Sequence, residues 1–538
     1  MERIIINTHA APAAPAAPTT VGEWNIVGKS GVSAMHLVLV RPTKALIIDK
    51  AEKNPDVANE DGTFALSTEY DLLTNTYRPL KLTTNTFCSA GSFFENGTLA
   101  EAGGAEVAFG HKEGFQSLRL FDACDDKTCD WVEYPGYLNS NRWYTTMTSL
   151  PDGRVFVLGG STKATGVNKQ DIQNPTFEFL PNNGVEAPKE PMQFLIDTFP
   201  YNLYVTVIVV PGPPEQNWLF LAANKKAQIW DFGTQKTVKQ LPDIPGGPRT
   251  YPLIATTTLL PLSYENNYAP EVLICGGGTD IVPAAPTENT CVRLNLVEAN
   301  GVWDEEEFGG MPKGRIMGDS VHLPDGKILI VNGAAVGYAG YDRGPPENRI
   351  NVASEPTLTP LVYDPKAAKG ARWAKWADST IIRGYHSVAT LIPDGTVFVT
   401  GSNPNEIFTP PYLLNGTPRP TILSVAGLKE LNGINPIPVT FGQLVTVTIQ
   451  ISATAVPDDI IVSLVHMGFI THSQHMSSRY IRLKVENLIP TDIGYAIDVT
   501  MPPNGNMLPP GRHHYLFVTY KGTPAASAVE VKLQKAAT

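Results

Sequence analysis

The sequence predicts an all-β chain: a seven-bladed β-propeller of kelch type followed by a C-terminal immunoglobulin-like β-sandwich. Three observations carry this prediction. A strand–turn–strand pattern recurs seven times along the chain. Its copies end near residues 49, 103, 159, 223, 276, 333 and 401, spacings that suit one four-stranded blade each. The repeat then stops near Pro420, and separate strand-like runs continue without it.

The copies run in order as MHLVLVRPTKALIID (35–49), CSAGSFFENGTLAEAGG (88–104), TTMTSLPDGRVFVLGG (145–160), VTVIVVPGPPEQNWLFLAAN (205–224), ATTTLLPLSYENNYAPEVLICGGG (255–278), GDSVHLPDGKILIVNGA (318–334) and HSVATLIPDGTVFVTGS (386–402). Asp-Gly and Asn-Gly at the turns permit the positive φ a tight hairpin needs. The first, fourth and fifth copies are looser, and the fourth carries PGPPEQ in place of that turn. PPYLLNGTPRP (410–420) reads as the junction to the second unit. Beyond it, LVTVTIQI, IIVSLVHM, YIRLKV, AIDVTM and HYLFVTY are strand-like runs separated by Pro and Gly, and no segment keeps a 3.6-residue period. The expected division is a leader and Ala-Pro linker (1–22), the propeller (23–417) and the sandwich (418–538).

Composition narrows the function. Among 538 residues, 52 acids against 41 bases give a net charge of −11, which argues against nucleic acid or an anionic membrane as partner. The longest apolar run, Tyr204 to Val210, is strand-sized and far from the ~18 residues of a membrane span. The 5 cysteines are an odd number. Cys124 and Cys129 would close a short disulfide, and Cys275 and Cys291 a second across an irregular stretch, which leaves Cys88. No CxxC or zinc spacing is present. Two sequons, at Asn96 and Asn415, fit a secreted chain. MERIIINTHA is too short in apolar residues for a signal peptide, so a replaced or removed leader is expected, and AAPAAPAAPTT (10–20) reads as an extended linker.

Aligning the copies exposes a site. Eight residues before the turn Asp or Asn stand Cys88, Tyr144, Met317 and His386. The strand before this hairpin is the one nearest a propeller's axis, and equal register means a similar inward direction. The second and third copies are neighbours, so Cys88 and Tyr144 should come close. Tyr385 sits beside His386. Taken singly, such residues are wall residues of a channel, and a lone Cys is a small buried hydrophobe; their shared register is what points to chemistry. HMGFITHSQHMSS (466–478) reads as a hairpin tip, and His472 and His475 reach the channel only if that tip inserts into it. His466 alternates within an apolar run and reads as structural, while His513 and His514 carry no clear signal. Two imidazoles and two phenolates form an N2O2 set that suits Cu(II), with zinc and calcium disfavoured by the missing thiolates and carboxylates.

NTFCSAG (85–91), NRWYTT (141–146), RGYHSVATLIPDG (383–395) and THSQHMSSRY (471–480) together resemble the radical copper oxidases, the family of galactose oxidase and glyoxal oxidase. The resemblance runs from about Trp24 to Leu533. With PTFEF added, it is closer to the fungal glyoxal oxidases. It implies one copper ion held by Tyr144, Tyr385, His386 and His472, with His475 as runner-up. It implies a thioether between Cys88 and Tyr144, with Tyr144 the radical carrier and Tyr385 the general base. It further implies oxidation of small aldehydes, as hydrates, to acids, with O2 reduced to H2O2. Primary or aryl alcohol or galactose oxidation is the alternative, and a non-catalytic kelch propeller binding carbohydrate or protein the distant one. Arg249 and Tyr251 (GPRTYP) are candidate substrate contacts or blade-packing residues. A departure concerns the Trp that galactose oxidase places over its cysteinyl-tyrosine: Gly160-Ser161 is followed here by Thr162. An extracellular monomer is expected, with peroxidases as possible users of the peroxide.

Overall fold

A computed structural model describes residues 22, 24–124, 126–181, 190–306, 311–343, 350–403, 435–451 and 454–535, together with the backbone of 421–425. Among them the structure is almost entirely β, and the one α-helix is the single turn Gln193–Asp197. The leader, most of the linker, the 410–420 junction and the Asn415 sequon lie outside the described residues.

Seven antiparallel sheets follow one another along the chain. Their leading strands are His36–Arg41, Ala90–Phe93, Thr146–Ser149, Thr206–Val209, Thr256–Leu259, Asp319–His322 and Ser387–Leu391. Each pairs with the second strand of its own repeat, and these second strands end at Ile48, Ala102, Leu158, Ala223, Cys275, Val331 and Gly401, within two residues of the sequence expectation. Leading strands are buried nearly throughout, whereas outer strands such as Val132–Tyr134 and Lys236–Gln240 are largely exposed. The leading strands are rich in Ala, Gly, Ser and Thr, small side chains that let neighbouring sheets approach closely where they crowd together.

The hairpins close in a more economical way than a pair of left-handed residues. Only the glycine turns left-handed, with φ of 93° at Gly153 and 79° at Gly395. The preceding acid instead accepts a backbone hydrogen bond, as Asp152 does from Arg154 at 3.0 Å and Asp394 from Thr396 at 2.8 Å.

The C-terminal segment forms two sheets. One orders Thr421–Val425, Leu444–Gln450, Gly494–Thr500 and Val485–Thr491. The other is centred on Ile460–His466, flanked by Arg479–Leu483 and Gly511–Tyr520. Leu444–Gln450 alternates exposed and buried residues, as a strand with one face on a core must. Two exchanges tie this segment to the repeats. Leu262–Ser263 of the fifth repeat adds in parallel to Arg479–Leu483. In return, the hairpin Phe469–Thr471/Gln474–Met476 leaves its own sheets and pairs with the first repeat, Thr471 opposite His36. That hairpin touches the leading strand of every one of the seven repeat sheets. Gly91 makes room for it, since a Cβ there would stand 2.3 Å from the Phe469 ring.

Candidate metal centre

Cys88, Tyr144, Tyr204 and Met317 each stand two residues before a leading strand, and His386 one residue before. All five have left-handed backbones, with φ of 55°, 60°, 50°, 60° and 61°. Such φ values cost energy for residues with a Cβ, and their recurrence marks one turn repeated at the start of five leading strands. Backbone bonds link neighbouring copies: Tyr144 N–H donates to the Cys88 carbonyl at 2.9 Å, and Tyr204 N–H to the Tyr144 carbonyl at 3.1 Å. Tyr204 escapes a count made from the turn because the fourth copy lacks the Asp-Gly mark; counting from the strand start finds it.

Three phenols meet at one point. Tyr144 Oη lies 2.8 Å from Tyr251 Oη and 2.9 Å from Tyr385 Oη, and the last two are 3.0 Å apart. Two aromatic faces cover the Tyr144 ring: Tyr251 stacks on it at 4.3 Å and 26°, and Trp143 packs at 4.3 Å and 53°. Burial, and then the mutual proximity of these groups and of Cys88, pushes the Tyr144 and Tyr385 phenols well above their ordinary range. Burial likewise pushes up the thiol of Cys88, which is the free cysteine among the described residues.

The imidazoles close the other side. His386 and His472 rings are 4.8 Å apart and nearly perpendicular, and the Tyr385 ring stacks on His386 at 3.9 Å. His386 Nδ1 bonds the Asn403 carbonyl at 3.2 Å, which leaves Nε2 buried without a partner. Thr471 Oγ1 holds His472 Nδ1 at 2.5 Å, turning Nε2 toward Cys88 Sγ at 3.6 Å. Donor atoms of Cys88, His386 and His472 all fall within 4.8 Å of one another. Burial holds both imidazoles well below the usual histidine range, so they are neutral, with lone pairs free to ligate. Neutral nitrogens, one unpartnered and one facing only a thiol, beside phenols whose protons a cation would displace, are a donor set that fits a borderline divalent metal such as copper. His475 faces the other way: its Nε2 lies 3.5 Å from Asp319 Oδ1.

The candidate substrate contacts separate. Tyr251 belongs to the phenol triangle. Arg249 does not reach it: the side chain turns into its own sheet, donating to the carbonyls of Gly276 and Pro245 and to Thr290 Oγ1. It is one of a repeating set. Arg119, Arg142, Arg315 and Arg383 likewise donate to carbonyls at the ends of second strands, those of Gly103, Gly159, Asn332 and Gly401. These buried arginines clamp the strand ends of five of the seven repeats.

Both disulfides, Cys124–Cys129 and Cys275–Cys291, are formed. Asn96 is exposed at its hairpin turn. His466 bonds the His513 carbonyl at 3.0 Å, and His513 and His514 are buried in the same sheet, away from the cluster.

Comparison with known proteins bears on this site. Residues 41–428 match the family model described as glyoxal oxidase N-terminus, and residues 420–532 match the galactose oxidase-like, Early set domain. Aldehyde oxidase GLOX1 of Arabidopsis thaliana is 33% identical, with 94% of this chain and 83% of the relative covered. Aldehyde oxidase GLOX of Vitis pseudoreticulata is 31% identical, covering 94% of this chain and 96% of its own. A solved structure, a fungal alcohol oxidase of the AA5 family in complex with copper, superposes with a TM-score of 0.70 at 19% identity, over 96% of this chain and 100% of its own. At that identity the likeness is one of fold.

Proposed function

The chain belongs to the glyoxal oxidase branch of the radical copper oxidases, and on that premise we propose that it oxidises small aldehydes, as their hydrates, to carboxylic acids while reducing O2 to H2O2. The observation that supports this most directly is the convergence of Cys88, Tyr144, Tyr385, His386 and His472 from four separate stretches of chain. The fold reading that goes with it is a seven-bladed propeller over residues 23–417 and an immunoglobulin-like sandwich over 418–538. Its support is the Phe469–Met476 hairpin, which contacts seven leading strands at once as only a plug at the hub of a ring can.

Tyr144, Tyr385, His386 and His472 would hold one copper ion. When bound, copper supplies Lewis acidity to the substrate hydroxyl and one of the two electron-accepting sites. The residues do the rest. His386 and His472 arrive neutral and need shed no proton to ligate. Tyr385 loses its proton when a cation is loaded, and its Oη then accepts the proton of the substrate hydroxyl. Tyr144, joined to Cys88 by a thioether, is the second electron-accepting site and takes a hydrogen atom from the substrate carbon. Sulfur donates electron density into the ring and eases its oxidation. Trp143 and Tyr251 cover the ring faces and exclude water from it. The two hydrogens and two electrons leaving the hydrate are those that convert O2 to H2O2.

The protein acts outside the cell as a monomer and serves peroxidases that use H2O2; the two disulfides support an oxidising compartment. Metal analysis with a coupled peroxide assay over aldehydes, primary alcohols and galactose tests the function. One copper per chain and peroxide formation chiefly from aldehydes is expected; peroxide from alcohols alone would replace the aldehyde reading, and neither copper nor peroxide would remove the oxidase. Intact mass tests the crosslink, because a thioether removes two hydrogens beyond the disulfides, a loss that Cys88→Ser should abolish.

A further inference from the structure

Phe87, Trp143 and Tyr341 form an aromatic wall beside the candidate centre. Phe87 stacks on Tyr341 at 5.6 Å and 12°, and its ring lies 5.7 Å from that of Trp143. Tyr341 stands edge-on to two residues of the centre, at 5.8 Å and 84° to Tyr385 and at 5.5 Å and 89° to His386. Phe87 is edge-on to His386 at 6.2 Å. Phe87 and Tyr341 are partly exposed while Tyr385 and His386 are buried, so the wall lies between the centre and solvent.

Tyr341 is partly exposed as a residue, but its hydroxyl oxygen is buried and has no hydrogen-bond partner. A buried Tyr hydroxyl usually finds such a partner. A buried, unpaired hydroxyl costs about 1–3 kcal/mol, a cost that is recovered if a ligand brings the partner. A phenol is a neutral donor at neutral pH. No step assigned above uses it.

We infer that Tyr341 is a specificity-determining residue that binds the second hydroxyl of a hydrated aldehyde, and thereby sets a preference for hydrates over primary alcohols. The inference rests on the aldehyde oxidase reading. A primary alcohol has one oxygen on the reacting carbon, which goes to the centre. A hydrate has two, and the second needs a polar partner on the wall side, where Phe87 offers only aromatic surface and the donors buried without a partner are the Tyr341 hydroxyl and the Trp143 Nε1–H. A site built around a hydrogen bond discriminates strongly against an analogue lacking the group, because the protein's own polar atom is then left unpaired.

The test compares the copper-loaded wild type with Tyr341→Phe, which keeps the ring and its stacking. One arm measures binding of 1,1,1-trifluoroacetone hydrate, a gem-diol with no hydrogen on the reacting carbon, against its single-hydroxyl counterpart, trifluoro-tert-butanol. The expected result is a roughly tenfold weaker affinity of the variant for the diol, about 1.4 kcal/mol, and an unchanged affinity for the alcohol. The second arm measures kcat/KM on glyoxal and on a primary alcohol, with a selective loss on glyoxal expected. Equal effects on both ligands, or none on either, overturn the inference while leaving the oxidase intact. A wild type without copper or peroxide formation overturns the oxidase reading and takes the inference with it.

Discussion

Replacing His472 by Ala is expected to lower copper retention roughly tenfold or more, whereas His475→Ala should retain it, because only His472 turns its Nε2 toward Cys88 and His386. Metal content after dialysis decides, and loss in His475→Ala alone would reverse the assignment. Arg249 makes the opposite prediction. Its charged side chain serves two carbonyls and a hydroxyl of its own sheet. Arg249→Ala should therefore cost about 1–3 kcal/mol of stability for each carbonyl left unpaired, read as a lowered unfolding midpoint, with KM unchanged; a raised KM at unchanged stability would return Arg249 to the substrate. Both ligands and clamps lie in motifs visible in the sequence. Which of Arg249 and Tyr251 joins the site was not, because GPRTYP puts them two residues apart and only the direction of each side chain separates them.

At the scale of the element, the Phe469–Met476 hairpin matters most. It carries His472, and its place depends on the gap that Gly91 leaves under Phe469. Gly91→Ala should push that ring back and cost about 1–3 kcal/mol of overpacking. It should also lower copper retention although residue 91 ligates nothing. Full retention with the stability loss would mean that the hairpin tolerates the shift. Four of the seven strand pairs were legible because Asp-Gly or Asn-Gly turns recur at a fixed offset, and the other three because paired apolar runs keep the same spacing. Tyr204 was not, because the fourth repeat lacks the mark from which the register is counted. Trp143, Phe87 and Tyr341 were unreadable as a wall: nothing in their local sequence says that three loops face one another.

For the whole molecule, acid lability is the expectation. Burial lowers His322 and His466 to about 4 each, from an ordinary value of 6.5. Groups held neutral in the fold contribute stability that is full above the unfolded pKa of 6.5 and is lost as pH falls through 6.5 toward 4, at most about 3 kcal/mol each. Glu101, raised by burial to about 7, runs the other way: its contribution is present below the unfolded value of 4.5 and is lost as pH rises through 7. Denaturant unfolding at pH 7 and pH 4.5 should show lower stability at the acid end. The His322→Gln, His466→Gln double variant should make that slope shallower without abolishing it, because His36, His386, His472 and His514 are held neutral by burial in the same way; an unchanged slope would remove His322 and His466 as contributors.

Local chemistry alone determined the strands, their repeat, the disulfide pairs and the short roster of residues able to hold a redox metal, since turn residues, period-two alternation and cysteine spacing act over a few positions. Tertiary structure decided the rest: that His472 and not His475 faces Cys88, that Tyr251 joins two other phenols while Arg249 turns into its sheet, and that Tyr341 buries its hydroxyl. These are matters of direction at a point where distant segments meet, and a side chain's direction there is set by left-handed backbones and by neighbours contributed from other repeats.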